Sequence, residues 1–135
     1  MKLSACVITK NEEENIGTWL TSMKKIADEM IVVDTGSTDR TVEMAKEAGA
    51  RVFHHAWQND FAAAKNCALE KAKGDWILFL DADEYFSPQT LPKVRPLLLE
   101  VEKSTKPIVG VICRLVNIDK DQGTTTVDET LALLP

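Results

Sequence analysis

Apolar positions fall into two kinds of pattern that take turns along the chain. LSACVIT (Leu3–Thr9) is a continuous apolar run that stops at the polar KNEEEN, as a buried strand does. Ile16, Trp19, Leu20 and Met23 then recur at i, i+3, i+4 and i+7, the stripe of an amphipathic helix. MIVV (residues 30–33) reads as a second buried strand, ended by Asp34 and Gly36. Val42, Ala45 and Ala48 mark a helix closed by Gly49, with Ser37 or Thr38 as its N-cap. RVFH (Arg51–His54) is a shorter strand. Phe61, Ala64, Ala68 and Ala72 mark a third helix, ended by Gly74, and WILFL (residues 76–80) a fourth strand running into DADE.

Strands and helices in strict alternation predict right-handed βαβ units, hence an α/β fold with an open, mostly parallel sheet covered on both faces. After Tyr85 the pattern changes. Ser87 is placed to cap, and residues 97–103 form helix, because Pro92 and Pro96 oppose one straight helix through the whole stretch. Residues 108–116 (IVGVICRLV) read as a fifth strand and 117–123 (NIDKDQG) as a polar turn, while 124–135 fit a strand or an extended tail. Without repeats or low-complexity linkers, residues 1–135 are expected to form one domain: a core at 1–87, then helix, strand and tail at 88–135.

With 135 residues, 44% hydrophobic and 27% charged, the composition excludes disorder and membrane spanning and allows a real core. The net charge of −5 disfavours nucleic acid as a partner, since phosphate backbones select positive surfaces. Cys6, Cys67 and Cys113 are an odd count without close pairing, each in an apolar context, so reduced thiols in a cytoplasmic protein are expected. LSAC resembles a lipidation box, but only Met1 and Lys2 precede it where an export segment would be needed.

IVVDTGSTDR (residues 31–40) carries the Asp-Thr-Gly of an aspartic protease, and a short chain could dimerise to supply the second loop. In such proteases the loop lies between strands, whereas TDRTVEMAKEAG is a punctuated helix. Asp34 is therefore expected on a strand-to-helix turn, with Gly36 allowing the sharp change of direction. Thr9 to Glu12, Asp34, and Asp81 to Glu84 each end a parallel strand, and ligands of open parallel sheets bind outside such ends where strand order reverses. Asp81 and Asp83, one residue apart, offer hard oxygen ligands suited to Mg²⁺ or Mn²⁺. A solvated acidic turn would read the same way. A phosphatase-like Asp-x-Asp nucleophile belongs at the end of a first strand, not a fourth. His54 and His55 are adjacent and point to different sides, which favours loop surface and packing over a metal site. Trp19 and Trp76 fall at core positions, and Trp57 either covers the crevice edge or packs. Glu13 and Glu14 suit the positive end of the first helix.

Taken together, CVITKNEEENI, MIVVDTGSTDRTVEMAKEAGARV and DFAAAKNCALEKAKGDWILFLDADE resemble, over about residues 3 to 87, the nucleotide-sugar-binding half of the family 2 glycosyltransferases, inverting enzymes of the Rossmann-like GT-A fold. DFAAAKN is most similar to the subgroup acting on lipopolysaccharide core. The resemblance implies a UDP-sugar donor, a glycan, lipid or protein acceptor, and Mg²⁺ or Mn²⁺. Asp34 would hydrogen-bond the base, with Thr9, Asn11 and Glu12 bordering that pocket. Asp83 would touch the metal, and Asp81 the ribose or the metal through water. Lys65 or Asn66 would face the nucleotide, though Lys65 equally suits a helix surface. The family's catalytic base lies well downstream; Asp128 and Glu129 are nominal candidates at too short a spacing. A truncated piece holding the donor half is therefore expected, with a homodimer favoured by apolar area left uncovered at the fifth strand.

Overall fold

The structure, a computed structural model, describes residues 1–108 and the short strands at 110–111, 115–119, 124–128 and 133–134. It divides into two compact units, Met1–Arg95 and Pro96–Pro135. The first unit runs β1 (Leu3–Thr9), α1 (Ile16–Ile26), β2 (Glu29–Asp34), α2 (Thr41–Glu47), β3 (Arg51–His54), α3 (Phe61–Lys71) and β4 (Trp76–Phe79). Its four strands are all parallel, in the order β3-β2-β1-β4.

That order follows from handedness. Stepping from β1 to β2 to β3 in one direction puts α1 and α2 on the same face, because βαβ crossovers are right-handed. Returning past β1 to β4 puts α3 on the other face. There Ala68 of α3 joins Cys6, Ile31 and Val33 in one buried cluster, flanked by Ile8, Phe53 and Phe79. Residues of opposite parity, Ala5, Val7 and Val32, are fully buried too, so the central strands are apolar on both sides. Each such Val or Ile contributes about 1.5–3 kcal/mol relative to exposure. Gly74 shows how tight the approach to β4 is: a Cβ there would lie 2.6 Å from Ser4 Oγ and 2.8 Å from Trp76 O.

Five expectations need correction. Neither Ser37 nor Thr38 caps α2, which starts at Thr41; the Thr41 N–H is taken by Asp39 Oδ1 at 3.0 Å. Ser87 bonds Thr90 in a turn ahead of a short 3-10 segment, Leu91–Lys93. The helix that follows, α4, is Val94–Glu102 and includes Pro96. Proline is tolerated there because it sits in the first turn, where its missing N–H would have had no intrahelical partner. In the second unit, the stretch read as one fifth strand contributes to two separate pairings. β5 (Gly110–Val111) pairs antiparallel with β8 (Leu133–Leu134), and β6 (Leu115–Asp119) with β7 (Thr124–Asp128). Asn117–Asp119, expected in a turn, therefore belong to a strand; residues 112–114, with Cys113, and 120–123 lie outside the described residues. Among the described residues no helix is long and apolar enough to cross a membrane.

Candidate functional site

The loops after β1 and β2 are tied together residue by residue. Register places Thr9 opposite Asp34, so both loops leave the sheet at one level. Asn11, held at a left-handed φ of 53°, donates its N–H to Ser37 Oγ at 2.8 Å and accepts from Thr38 N at Oδ1, also 2.8 Å. Asparagine is among the few residues with a side chain that tolerate this conformation. Glu12 N donates to Thr41 Oγ1 at 2.9 Å. Glu13 Oε2 accepts from Arg40 N at 3.1 Å, so its carboxylate serves the neighbouring loop and not only the positive end of α1. Thr35 donates both its N–H and its hydroxyl to Thr9 O, at 2.9 and 3.0 Å.

Asp34 sits under this zipper and is 2% exposed. Its carboxylate accepts from Thr9 Oγ1 (2.9 Å), Ser37 Oγ (2.5 Å), Ser37 N (2.9 Å) and Gly36 N (3.1 Å). Four acceptances fill the capacity of an ionised carboxylate. Burial by itself would raise the Asp34 carboxyl, but the Ser37, Thr9 and Gly36 donors outweigh it and hold it below the usual carboxylate value. An ionised, fully bonded aspartate on a strand-to-helix turn is the opposite of a proton-sharing protease dyad.

β4 lies against the other side of β1, with Phe79 opposite Cys6. Its end is anchored by the fully buried Trp19, whose indole Nε1–H donates to Leu80 O at 3.2 Å. The chain then makes a tight turn in which Glu84 N donates to Asp81 O (2.9 Å) and Asp81 N donates to Glu84 Oε1 (2.7 Å). Ala82 is buried while Asp81 and Asp83 on either side are exposed, so the small middle residue tucks inward and the two carboxylates stay open to solvent. No group of three His, Cys, Asp or Glu able to cage a metal occurs among the described residues. The open Asp81–Asp83 pair instead suits Mg²⁺ or Mn²⁺, which keep several waters and take one or two protein carboxylates alongside substrate phosphates.

Thr9, Asn11 and Asp34 are thus brought into one cluster joined through Ser37, Glu12 is tied beside it through its backbone N–H to Thr41, and Asp81 and Asp83 lie at the same end of the adjoining strand. Lys65, exposed on α3, lays its ammonium over the Phe79 ring at 5.1 Å and the Phe61 ring at 5.9 Å. Asn66 is exposed on the same helix. Asp128 pairs in register with Leu115 in the β6–β7 hairpin of the other unit, and Glu129 lies outside the described residues. Trp57 is 41% exposed and meets Phe61 edge-on at 5.9 Å. His54 ends β3 and is exposed; His55 donates its N–H to Asp34 O at 2.9 Å, and its Nε2 is buried without a partner among the described residues. Reasoning from sequence missed the structural parts of Ser37, Thr35, Glu84 and Trp19. The Asp34–Ser37 and Asp81–Glu84 spacings of three were the available signals, since a short acceptor reaches donors two or three residues on.

The sequence pattern of Glycosyl transferase family 2 matches residues 4–126. The chain belongs to this family. Its architecture is the GT-A fold, which its solved structural neighbours share. A glucosyl-3-phosphoglycerate synthase from Mycobacterium tuberculosis, in complex with Mn²⁺, UDP and glucosyl-3-phosphoglycerate, is 29% identical with a TM-score of 0.58, over 72% of this chain and 39% of that one. A mannosyl-3-phosphoglycerate synthase from Rubrobacter xylanophilus is 27% identical with a TM-score of 0.59, over 75% and 37%. In sequence, a TPR repeat-containing protein of Synechococcus elongatus is 46% identical over 101 residues, 75% of this chain and 25% of that protein. A glycosyltransferase of Rickettsia bellii is 47% identical over 88 residues, 65% of this chain and 30% of its own length. The chain therefore spans about a quarter to a third of these two relatives. These matches assign the family and not the lipopolysaccharide-core subgroup.

Proposed function

We propose that this chain is the donor-binding part of an inverting glycosyltransferase that moves a sugar from a nucleotide diphosphate, a UDP-sugar, to a glycan, lipid or protein acceptor with the help of Mg²⁺ or Mn²⁺. The observation that carries the reading is that the bonded loops of β1 and β2 and the Asp-x-Asp turn of β4 all leave the same end of three neighbouring strands. In an open parallel sheet of this order, β1 and β4 flank the reversal point where nucleotides bind. Related structures that hold UDP with Mn²⁺ add weight.

The Asn11–Ser37 loops receive the base. Asp34 builds that pocket; a base imide reaches its carboxylate only in exchange for one of the four donors already bonded there, because all its acceptor sites are filled. Thr9 and Glu12 border the pocket, Asp83 contacts the metal, and Asp81 meets the ribose or a metal-bound water. Lys65 or Asn66 faces the nucleotide from α3. Charge builds on the diphosphate as the sugar bond breaks, and the divalent cation supplies Lewis-acid neutralisation there when bound. The acceptor's base is assigned to no residue of the first unit.

A nucleotide-sugar-binding module without turnover is the competing reading, favoured by the share of its relatives that the chain spans. Calorimetric titration with UDP, with and without Mn²⁺, followed by an assay of UDP-sugar hydrolysis, separates them. Binding that needs Mn²⁺ and leads to hydrolysis supports the transferase; binding alone supports the module; no metal-dependent binding refutes both. Asp83→Ala should abolish the metal-dependent part while stability stays within about 0.5 kcal/mol, as for an exposed side chain.

A further inference from the structure

The fourth residue of the DADE stretch has a partner of its own. Glu84 is half-buried, and its Oε1 accepts the Asp81 N–H at 2.7 Å while its own N–H returns to Asp81 O at 2.9 Å. The two bonds close a ring around Asp81, Ala82 and Asp83. On the strand side, the turn hangs from Leu80, whose carbonyl is held by Trp19. The turn is therefore clamped from both ends, and the two aspartates between the clamps point outward around the buried Ala82. Resting on the donor-site reading above, we propose that Glu84 is a positioning residue for the metal-binding turn. Its carboxylate acts through the Asp81 amide, fixing where the Asp83 carboxylate stands, and not as a ligand.

The alternative is that Glu84 supplies negative charge to the cation directly. What the geometry shows is that one carboxylate oxygen, Oε1, is committed to a backbone N–H, and a charge-assisted bond of that length is a strong one; a direct role would have to run through the other oxygen, Oε2. Groups that orient metal ligands typically matter about 10- to 100-fold in metal affinity.

Glutamine separates the two roles. Its amide oxygen can accept the same N–H, but it carries no charge. The full chain, Glu84→Gln and Glu84→Ala are titrated with Mn²⁺ at saturating UDP, following free Mn²⁺ by electron paramagnetic resonance. Exchange of the Asp81 amide is followed by NMR, and thermal melts check the fold. The expected result is about a tenfold loss of Mn²⁺ affinity and faster Asp81 exchange in Glu84→Ala, with both restored to within about threefold in Glu84→Gln. Equal losses in the two variants would make Glu84 a charge donor and overturn the proposal. So would an unchanged Mn²⁺ affinity in Glu84→Ala. If the unaltered chain itself binds no Mn²⁺ with UDP, the donor-site reading has failed, a result distinct from either of these.

Discussion

Removing the Asp34 carboxylate should unpick the joined loops in a graded way. In Asp34→Ala the Thr9 and Ser37 hydroxyls can rotate toward other acceptors, but the Gly36 and Ser37 amides cannot. A donor left unsatisfied costs about 1–3 kcal/mol. Gly36 is exposed and regains part of its loss from water, so about 3 kcal/mol is expected for the pair. Asp34→Asn can aim its oxygen at the two amides and its NH₂ at the two hydroxyls, keeping the network but losing the charge, at about 1 kcal/mol. With a urea slope of about 2 kcal/mol/M, the unfolding midpoints should fall by about 1.5 M and 0.5 M.

The pH dependence fixes the sign. Because the folded carboxyl lies below its ordinary value, the unfolded chain takes up the proton first on acidification. The advantage over Asp34→Asn is therefore full above about pH 5 and shrinks as pH falls through the unfolded value near 3.9 toward the folded one. Equal midpoints for Asn and Ala, an Ala variant within about 0.5 kcal/mol of the parent, or an advantage that grows on acidification would each refute this reasoning.

Two further outcomes follow from other parts of the first unit. Gly74→Ala should destabilise by about 1–3 kcal/mol in the same urea assay, because its Cβ would press into Ser4 and the β4 backbone; a neutral substitution would mean that the loop shifts freely. Burial, helped by the Glu29 charge, pushes the Cys6 thiol up to about 12, so iodoacetamide at pH 8 should leave the Cys6 peptide unmodified in mass spectra of the native protein and modify it after unfolding.

The sheet was legible because central parallel strands must be apolar on both faces, so Leu3–Thr9 and the MIVV run stood out without any alternation to interpret. The helices were legible from their stripes, but the start of α2 was not. Ser37 is a good capping residue in the abstract, and its hydroxyl was claimed by Asp34, three residues back in sequence but decisive in space. Pro96 misled for a related reason: proline breaks a helix interior but not a first turn, and the sequence does not say which it occupies. Residues 108–116 looked like one strand because an apolar run does not reveal that two short antiparallel pairings divide it. The positions of Asp34, Asp81 and Asp83 at strand ends could be read from spacing. The saturation of Asp34 and the clamp on Asp81 could not, since both depend on where neighbouring loops put their N–H groups.

A crystal of the full chain grown with UDP and MnCl₂, with data collected at the manganese edge, tests the donor-site reading most directly. One anomalous peak in contact with the Asp83 carboxylate, a diphosphate beside it, and a uracil ring seated against the Asn11–Ser37 loops is the expected outcome. UDP and manganese bound away from the Asp81–Ala82–Asp83 turn, in crystals that hold both, would contradict it.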